Sequence, residues 1–330
     1  MLARSSILDH PSGVKIKTPL LVPSFSSKGF RFDSNGNSEV LEIYDVTKEF
    51  LTESLLVSAY DGHYGYVPLS NIPTEFVFVD SGGYETSDEH DLSEVMRSIG
   101  NIEQWNEELH RNFLDEWPSY IPSIFISFDH GKIRKSISEQ IGSARELFSN
   151  YPSQINNFLV KPEDRNYLKV INVIENIREL SSFDIIGFTE KDLGASIIDR
   201  MYNIALIRIA LDEINIKAPL HIFGSLDPIS TCLYFLAGAE IFDGLTWLKY
   251  SYHNGSAIYK HNAAVLTDGL TWEENTLDST VRKRNIYYLE NLQIEMNNFL
   301  HESDFNMFSQ NSEILKQTYN TLCDKLRRRY

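Results

Sequence analysis

Cysteine is nearly absent from this chain: Cys232 and Cys323 are the only two in 330 residues. Two thiols cannot build a disulfide framework, and they cannot supply the multi-cysteine cage of a structural zinc site. No run of 18 apolar residues occurs, so no membrane-spanning helix is expected. The opening MLARSSILDHPSG has no apolar stretch of the signal-peptide kind. A soluble, cytoplasmic protein is the expectation. Basic residues are in deficit: 30 Lys and Arg face 46 Asp and Glu, a formal net charge of -16. A surface that acidic argues against loose, charge-driven coating of DNA, RNA or anionic membrane. A nucleic-acid enzyme with a local basic patch is still compatible with it. Internal repeats and low-complexity tracts are also missing.

What is present is an ordinary globular composition, 42% hydrophobic and 23% charged. A chain of this length buries roughly 75% of its unfolded surface and needs no staples. Eight short β-branched or aromatic runs recur: Thr18–Pro23, Leu55–Tyr60, Phe76–Asp80, Ile124–Asp129, Phe158–Lys161, Asp184–Phe188, Leu220–Gly224 and Ile241–Leu245. Most are nearly continuous apolar runs, as strands buried on both faces of a parallel sheet require. Arg134–Phe148, Asn166–Leu180 and Ala195–Ile214 carry apolar residues at helical spacing between them. The link GHYGYVPLSNIPTE, between the second and third runs, reads as too short and turn-rich for a helix. The pattern predicts an α/β fold, a (β/α)8 barrel over residues 1–265, with a doubly wound open sheet as the alternative. Residues 266–330 read as a helical C-terminal extension, with amphipathic helices over Asn285–Leu300 and Glu313–Leu326. Ser24–Ser38 reads as a mobile loop. Two basic clusters stand out late in the chain: Arg282, Lys283 and Arg284, then Lys325 with Arg327, Arg328 and Arg329. They are either solvated helix ends or a local phosphate-binding patch.

In such a barrel the active site lies at the C-terminal ends of the strands. Three runs close on aspartate beside glycine: Asp80-Ser81-Gly82-Gly83-Tyr84, Asp129-His130-Gly131 and Asp243-Gly244. A carboxylate after several apolar residues is costly to bury unless paired or functional; helix capping is the alternative for any one of them. Gly82 and Gly83 would let a flat ligand approach the backbone, and Tyr84 offers a ring to stack on it. Paired carboxylates with an aromatic platform suit N-glycosidic chemistry. One attacks the anomeric carbon and the other handles the proton of the departing base. A metal-bound hydrolase using Asp80, Asp129 and Asp243 is the competing reading.

VDSGGYE (Val79–Glu85) resembles the DSGGYQ/F motif of the tRNA-guanine transglycosylases, the queuine and archaeosine type of base-exchange enzyme. ISFDHG (Ile126–Gly131) resembles their FDEC segment; HIFGSLDP (His221–Pro228) and AGAEIFDGL (Ala237–Leu245) resemble the later segments in the same order. TPLLVPSF (Thr18–Phe25) is similar to the family's opening strand, so the resemblance spans roughly residues 15–262. It implies that Asp243 is the nucleophile and Asp80 the general acid/base. It further implies that Asp129 reads the guanine-like edge, that Tyr84 and Phe223 sandwich the ring, and that Gly187 presents backbone groups to it. Ser81, Gly82, Gly83 and Gly224 complete the expected substrate site. Glu190 either holds the incoming base's exocyclic amine or caps a helix.

The family's zinc-binding cysteines are missing, and its Gln-Gly after the fifth strand is Lys161-Pro162 here. The resemblance is therefore to a zinc-less member, on the side of the branch that places 7-deazaguanines in DNA. Exchange of guanine for a 7-deazaguanine in DNA or tRNA is the expected activity, with no cofactor or metal. The expected partners are the nucleic acid and the base, with a protein partner or homodimer left open and no membrane. The alternatives are a nucleosidase acting on a 7-deazaguanosine-type nucleoside and a non-catalytic partner subunit.

Overall fold

The computed structural model describes residues 1–68, 72–87, 102–129, 133–267 and 269–328; His130, Gly131 and Arg329 lie outside them. A short antiparallel hairpin opens the chain, β1 (Ile7–Asp9) with β2 (Lys15–Lys17). Eight parallel strands follow: β3 (Leu20–Phe25), β4 (Ser54–Ser58), β5 (Phe76–Asp80), β6 (Ser123–Ile126), β7 (Ile155–Val160), β8 (Ile185–Thr189), β9 (Leu220–Phe223) and β10 (Ile241–Gly244). They close in sequence order, β10 pairing with both β9 and β3. The fold is a (β/α)8 barrel, and closure excludes the open sheet. Each of the eight apolar runs overlaps one barrel strand, with ends that differ by up to three residues.

Two apolar layers explain the nearly continuous runs. Leu20 and Val22, Leu56, Phe76 and Phe78, and Ile241 point into the barrel, while their alternates Leu21, Leu55 with Val57, Val77 with Val79, and Phe242 pack under the helices. This period-2 alternation decides the site. On β3, β4, β5 and β10 the next inward position toward the C-terminal end is Ser24, Ser58, Asp80 and Asp243. At the opposite end Ile16 of β2, 1% exposed, packs against the interior layer, with Leu8 and Val14 beside it.

The helices begin where side chains can cap them. Ser136 and Glu139 form a capping box for Ile137–Phe148, and Asp227 caps Pro228–Leu236 with proline at its first turn. The turn-rich link Gly62–Glu75 holds no helix of its own among the described residues; the five-residue helix Ala59–His63 closes the preceding run and reaches only its first two positions. The loop expected over Ser24–Ser38 begins two residues later than that. Ser24 and Phe25 belong to β3, Ser26 and Ser27 are buried, and Asp33 closes a turn by accepting from the N–H groups of Asn35 and Asn37. No described helix is long and apolar enough to cross a membrane.

The first C-terminal helix, Glu274–Glu302, starts well before the expected Asn285 and runs beside β3, where Gln293 Oε1 accepts from the Leu21 N–H at 3.3 Å. Leu289, Leu292, Met296 and Phe299 from this helix, and Leu315 and Leu322 from Ser312–Arg327, join the layer between strands and helices. Met296→Ala should therefore cost about 2–4 kcal/mol. It should lower one cooperative urea transition rather than create a second, early one.

Candidate active site

Ser24, Asp80, Tyr84, Asp129, Phe223, Gly224 and Asp243 all line one cavity at the C-terminal mouth of the barrel, about 830 Å³ of empty space with its opening to solvent included. The strand-end aspartates from β5 and β10 and the aspartate following β6 thus do converge. Their environments differ.

Asp243 is 5% exposed and bonded on both oxygens. Oδ2 accepts from Ser24 Oγ at 2.7 Å, and Oδ1 accepts from His221 Nε2 at 3.2 Å and from the Gly224 N–H at 3.3 Å. A carboxylate, which has only acceptors, satisfies all three donors. Gly224 holds a left-handed φ of 76°, which aims its N–H at Asp243 and suits glycine. Trp247, fully buried, donates from Nε1 to the Ser24 carbonyl at 3.1 Å and so fixes the residue that holds Asp243.

The Asp80 side chain accepts from the Gly82 N–H at 3.2 Å. Burial, the charge of Glu85 and that of Asp243 push its carboxyl up to about 8, against the pull of the Gly82 and Ser81 amides. Behind it sit two further acids. Glu85 accepts from Ser26 Oγ at 2.5 Å and Ser58 Oγ at 2.8 Å, and Asp61 from the Ser27 N–H and Oγ at 2.7 and 2.5 Å. Burial raises both, and Glu85 raises Asp61 further. The mouth is thus strongly acidic, with one carboxyl protonated at neutral pH beside another tied to three donors.

The glycines act differently from the expectation that they admit a ligand. At Gly82, φ 81°, a Cβ would meet Trp105 Nε1 and Tyr60 Cβ at 2.7 Å; at Gly83 it would meet the Asp129 Cβ at 2.6 Å. Both make room for protein side chains. Gly187 does not line the cavity, and a Cβ there would sit 2.4 Å from Phe223 Cε2 and 3.0 Å from Asn157 Oδ1. Its role is to admit the Phe223 ring. Gly187→Ala should displace that ring at a cost of about 1–3 kcal/mol, read as a lowered urea midpoint.

Ser81, fully buried, accepts through Oγ from the Asp129 N–H at 3.2 Å and so places that residue. Asp129 Oδ2 lies 3.3 Å from Lys161 Nζ, which also approaches Asp192 Oδ2 and Thr189 Oγ1 at 3.2 Å. Any base edge reaching Asp129 therefore meets a carboxylate–ammonium pair. Among the described residues Asp80, Asp129 and Asp243 form no group that could hold a metal ion. Glu190, 7% exposed, lines the cavity while accepting from Tyr234 OH at 2.7 Å and facing Arg200 at 3.4 Å.

None of the described residues of the two basic clusters lines the cavity. Arg282 is buried and bonded to Asp278 at 2.9 Å, so it is no surface phosphate ligand. Lys283 and Arg284 lie over the rings of Phe50 and Trp272 at 4.7 and 5.7 Å. Lys325 pairs with Asp199 at 2.6 Å and Arg327 with Asp324 at 3.5 Å, while Arg328 ends the last helix, exposed. The site residues that the sequence did not single out are Ser24, Ser26, Ser58 and Asn157, with His221 read only as part of HIFGSLDP. Inward-facing parity along the strands was the signal that could have found them.

No family model and no curated protein matches the chain.

Proposed function

We propose that this protein is an N-glycosyl base-exchange enzyme of the tRNA-guanine transglycosylase kind. It replaces guanine by a 7-deazaguanine in a polynucleotide, DNA before tRNA. One observation carries the reading. Two carboxyl groups share a cavity, Asp80 pushed up to about 8 and Asp243 held by Ser24, His221 and Gly224. Environments that separate two carboxyl groups assign acid and nucleophile. Asp243 attacks the anomeric carbon, an Oδ–C1′ bond forms, the C1′–N bond breaks, and the Asp80 proton goes to the departing base. The incoming base then gives its proton to the Asp80 carboxylate, its nitrogen bonds C1′, and Asp243 is released. The oxocarbenium-like transition state is positive, and the Asp243 carboxylate closing on C1′ stabilises that charge. Tyr84 and Phe223 offer rings to the base, which must leave the duplex stack to reach them.

A second reading, hydrolysis of a free 7-deazaguanosine-type nucleoside, draws on a separate observation. Three of the basic residues expected to hold phosphates, Arg282, Lys283 and Lys325, are taken up by buried or intramolecular contacts. Labelled guanine offered with duplex DNA, bulk tRNA or guanosine separates the two. Label entering a polymer supports exchange, and release of base from the nucleoside alone supports hydrolysis. Label or released base unaffected by Asp243→Asn overturns both.

A further inference from the structure

We propose that His221 is a positioning residue for Asp243, locked by Asn157 as the Nε2–H tautomer, so that Oδ2 of Asp243 is the oxygen that attacks the sugar. The assignment of an attacking oxygen rests on the base-exchange reading; the tautomer does not. Asn157 of β7 and His221 of β9 are both fully buried inside the barrel; Asn157 is paired through Nδ2, while its Oδ1 has no partner among the described residues. Asn157 Nδ2 lies 2.7 Å from His221 Nδ1, and His221 Nε2 lies 3.2 Å from Asp243 Oδ1. The asparagine reaches across β8 at Gly187, whose missing Cβ would come within 3.0 Å of Asn157 Oδ1.

An amide NH2 has only hydrogens to offer, so His221 Nδ1 is the acceptor and the ring proton is on Nε2. That proton points at the Asp243 carboxylate. The opposite tautomer would set a bare nitrogen lone pair against a carboxylate oxygen and leave two Nδ1/Nδ2 hydrogens facing each other. Hydrogen positions follow here from the heavy-atom network, which makes the tautomer measurable in its own right. Phe223 stacks on the imidazole at 3.8 Å between centroids, and Phe78 meets it edge-on at 5.4 Å, so the ring is clamped against rotation.

The consequence for Asp243 is an asymmetry between its oxygens. Oδ1 carries two donors, His221 and the Gly224 N–H, whereas among the described residues Oδ2 carries the Ser24 hydroxyl alone, which can swing away. Oδ2 therefore keeps an accessible lone pair for C1′. When the C1′–N bond breaks and Oδ2–C1′ forms, Oδ1 becomes the ester carbonyl. When the incoming base displaces the ester, negative charge returns to the carboxylate, and Oδ1 already faces the two N–H groups that receive it. These donors ease departure in the second half-reaction, which only an exchange or hydrolysis cycle requires.

The test combines a spectroscopic and a kinetic arm on the full chain. Long-range 15N–1H NMR of 15N-histidine-labelled protein, with the signal assigned by its loss in His221→Gln, is expected to show a neutral ring protonated on Nε2. Asn157→Leu is expected to disturb that pattern. In the exchange assay Asn157→Leu should lower kcat by about 10–100-fold with KM within about threefold, and His221→Gln, which keeps an N–H donor, should retain more rate than His221→Leu. Circular dichroism establishes that each variant is folded; if His221→Leu is not, the Asn157→Leu result decides. A ring protonated on Nδ1 alone or on both nitrogens, or a pattern indifferent to Asn157→Leu, overturns the tautomer lock. Unchanged kcat in Asn157→Leu, beside an inactive Asp243→Asn, overturns the positioning role. A wild type that neither exchanges nor hydrolyses removes the base-exchange reading instead, and the NMR arm still decides the lock.

Discussion

Asp243→Asn lowers guanine exchange by ~10⁴-fold or more and removes any trapped sugar–protein adduct, while the thermal midpoint stays within a few degrees. The two halves of this expectation come from the same geometry. An amide keeps one carbonyl oxygen, which can go on accepting from His221 Nε2 and the Gly224 N–H. Its NH2 would face Ser24 Oγ, and a hydroxyl can turn from donor to acceptor. The packing around β10 is thus preserved, with no buried donor left facing another. What the variant lacks is a negative oxygen able to bond C1′. Mass spectrometry of the quenched reaction reads the adduct, and label incorporation reads the rate. An Asp243→Asn protein that exchanges guanine at near wild-type rate removes Asp243 as nucleophile, however well folded it is.

The barrel was legible because burial on both faces leaves a strong trace. Val77 and Val79 pack under helices while Phe76 and Phe78 fill the interior, so the whole run reads apolar and the strand is unmistakable. The same continuity hides parity. Nothing in IFD alone tells which way Asp243 points. Its inward orientation follows only from Ile241 lying in the interior layer. The supporting residues were harder still. Ser24 lies two places beyond Val22 and looked like the start of a loop, and Asn157 lies one residue before a run that seemed to begin at Phe158, because a polar inward position breaks the apolar pattern used to find the strand. His221 was seen, within HIFGSLDP, but its partners come from β7 and β10, distant in sequence by 64 and 22 residues. The late basic clusters erred in the opposite direction. Arg282-Lys283-Arg284 looks like one surface feature, yet on a helix three successive residues point about 100° apart, and the first of them is buried against Asp278.

Asp80→Asn has the second large effect, and it acts in opposite directions on activity and stability. Loss of the proton donor lowers exchange by ~10³-fold, within the range a positioned general acid supplies. The loss shrinks for a substrate whose base departs without needing a proton. For stability, burial and the neighbouring acids push the Asp80 carboxyl up to about 8, from an ordinary value of 3.8. The folded chain therefore holds this proton where the unfolded chain has released it, and folding takes up a proton between those two values. The stabilisation from Asp80 is fully present below about pH 4 and is lost as pH rises toward and through 8. Asparagine carries no such proton and keeps a carbonyl for the Gly82 N–H. The variant should match wild type near pH 4 and exceed it by about 2 kcal/mol at pH 8, less than the full shift implies because the cavity is open to water. Glu85 and Asp61, also raised by burial, remain in both proteins but feel the loss of Asp80, so the difference between the two curves reports Asp80 together with its effect on those two neighbours. Urea titrations of both proteins at pH 5 and pH 8 measure that difference. A gap of the same size at both values would mean that Asp80 is ionised throughout, and it could then donate no proton to a departing base.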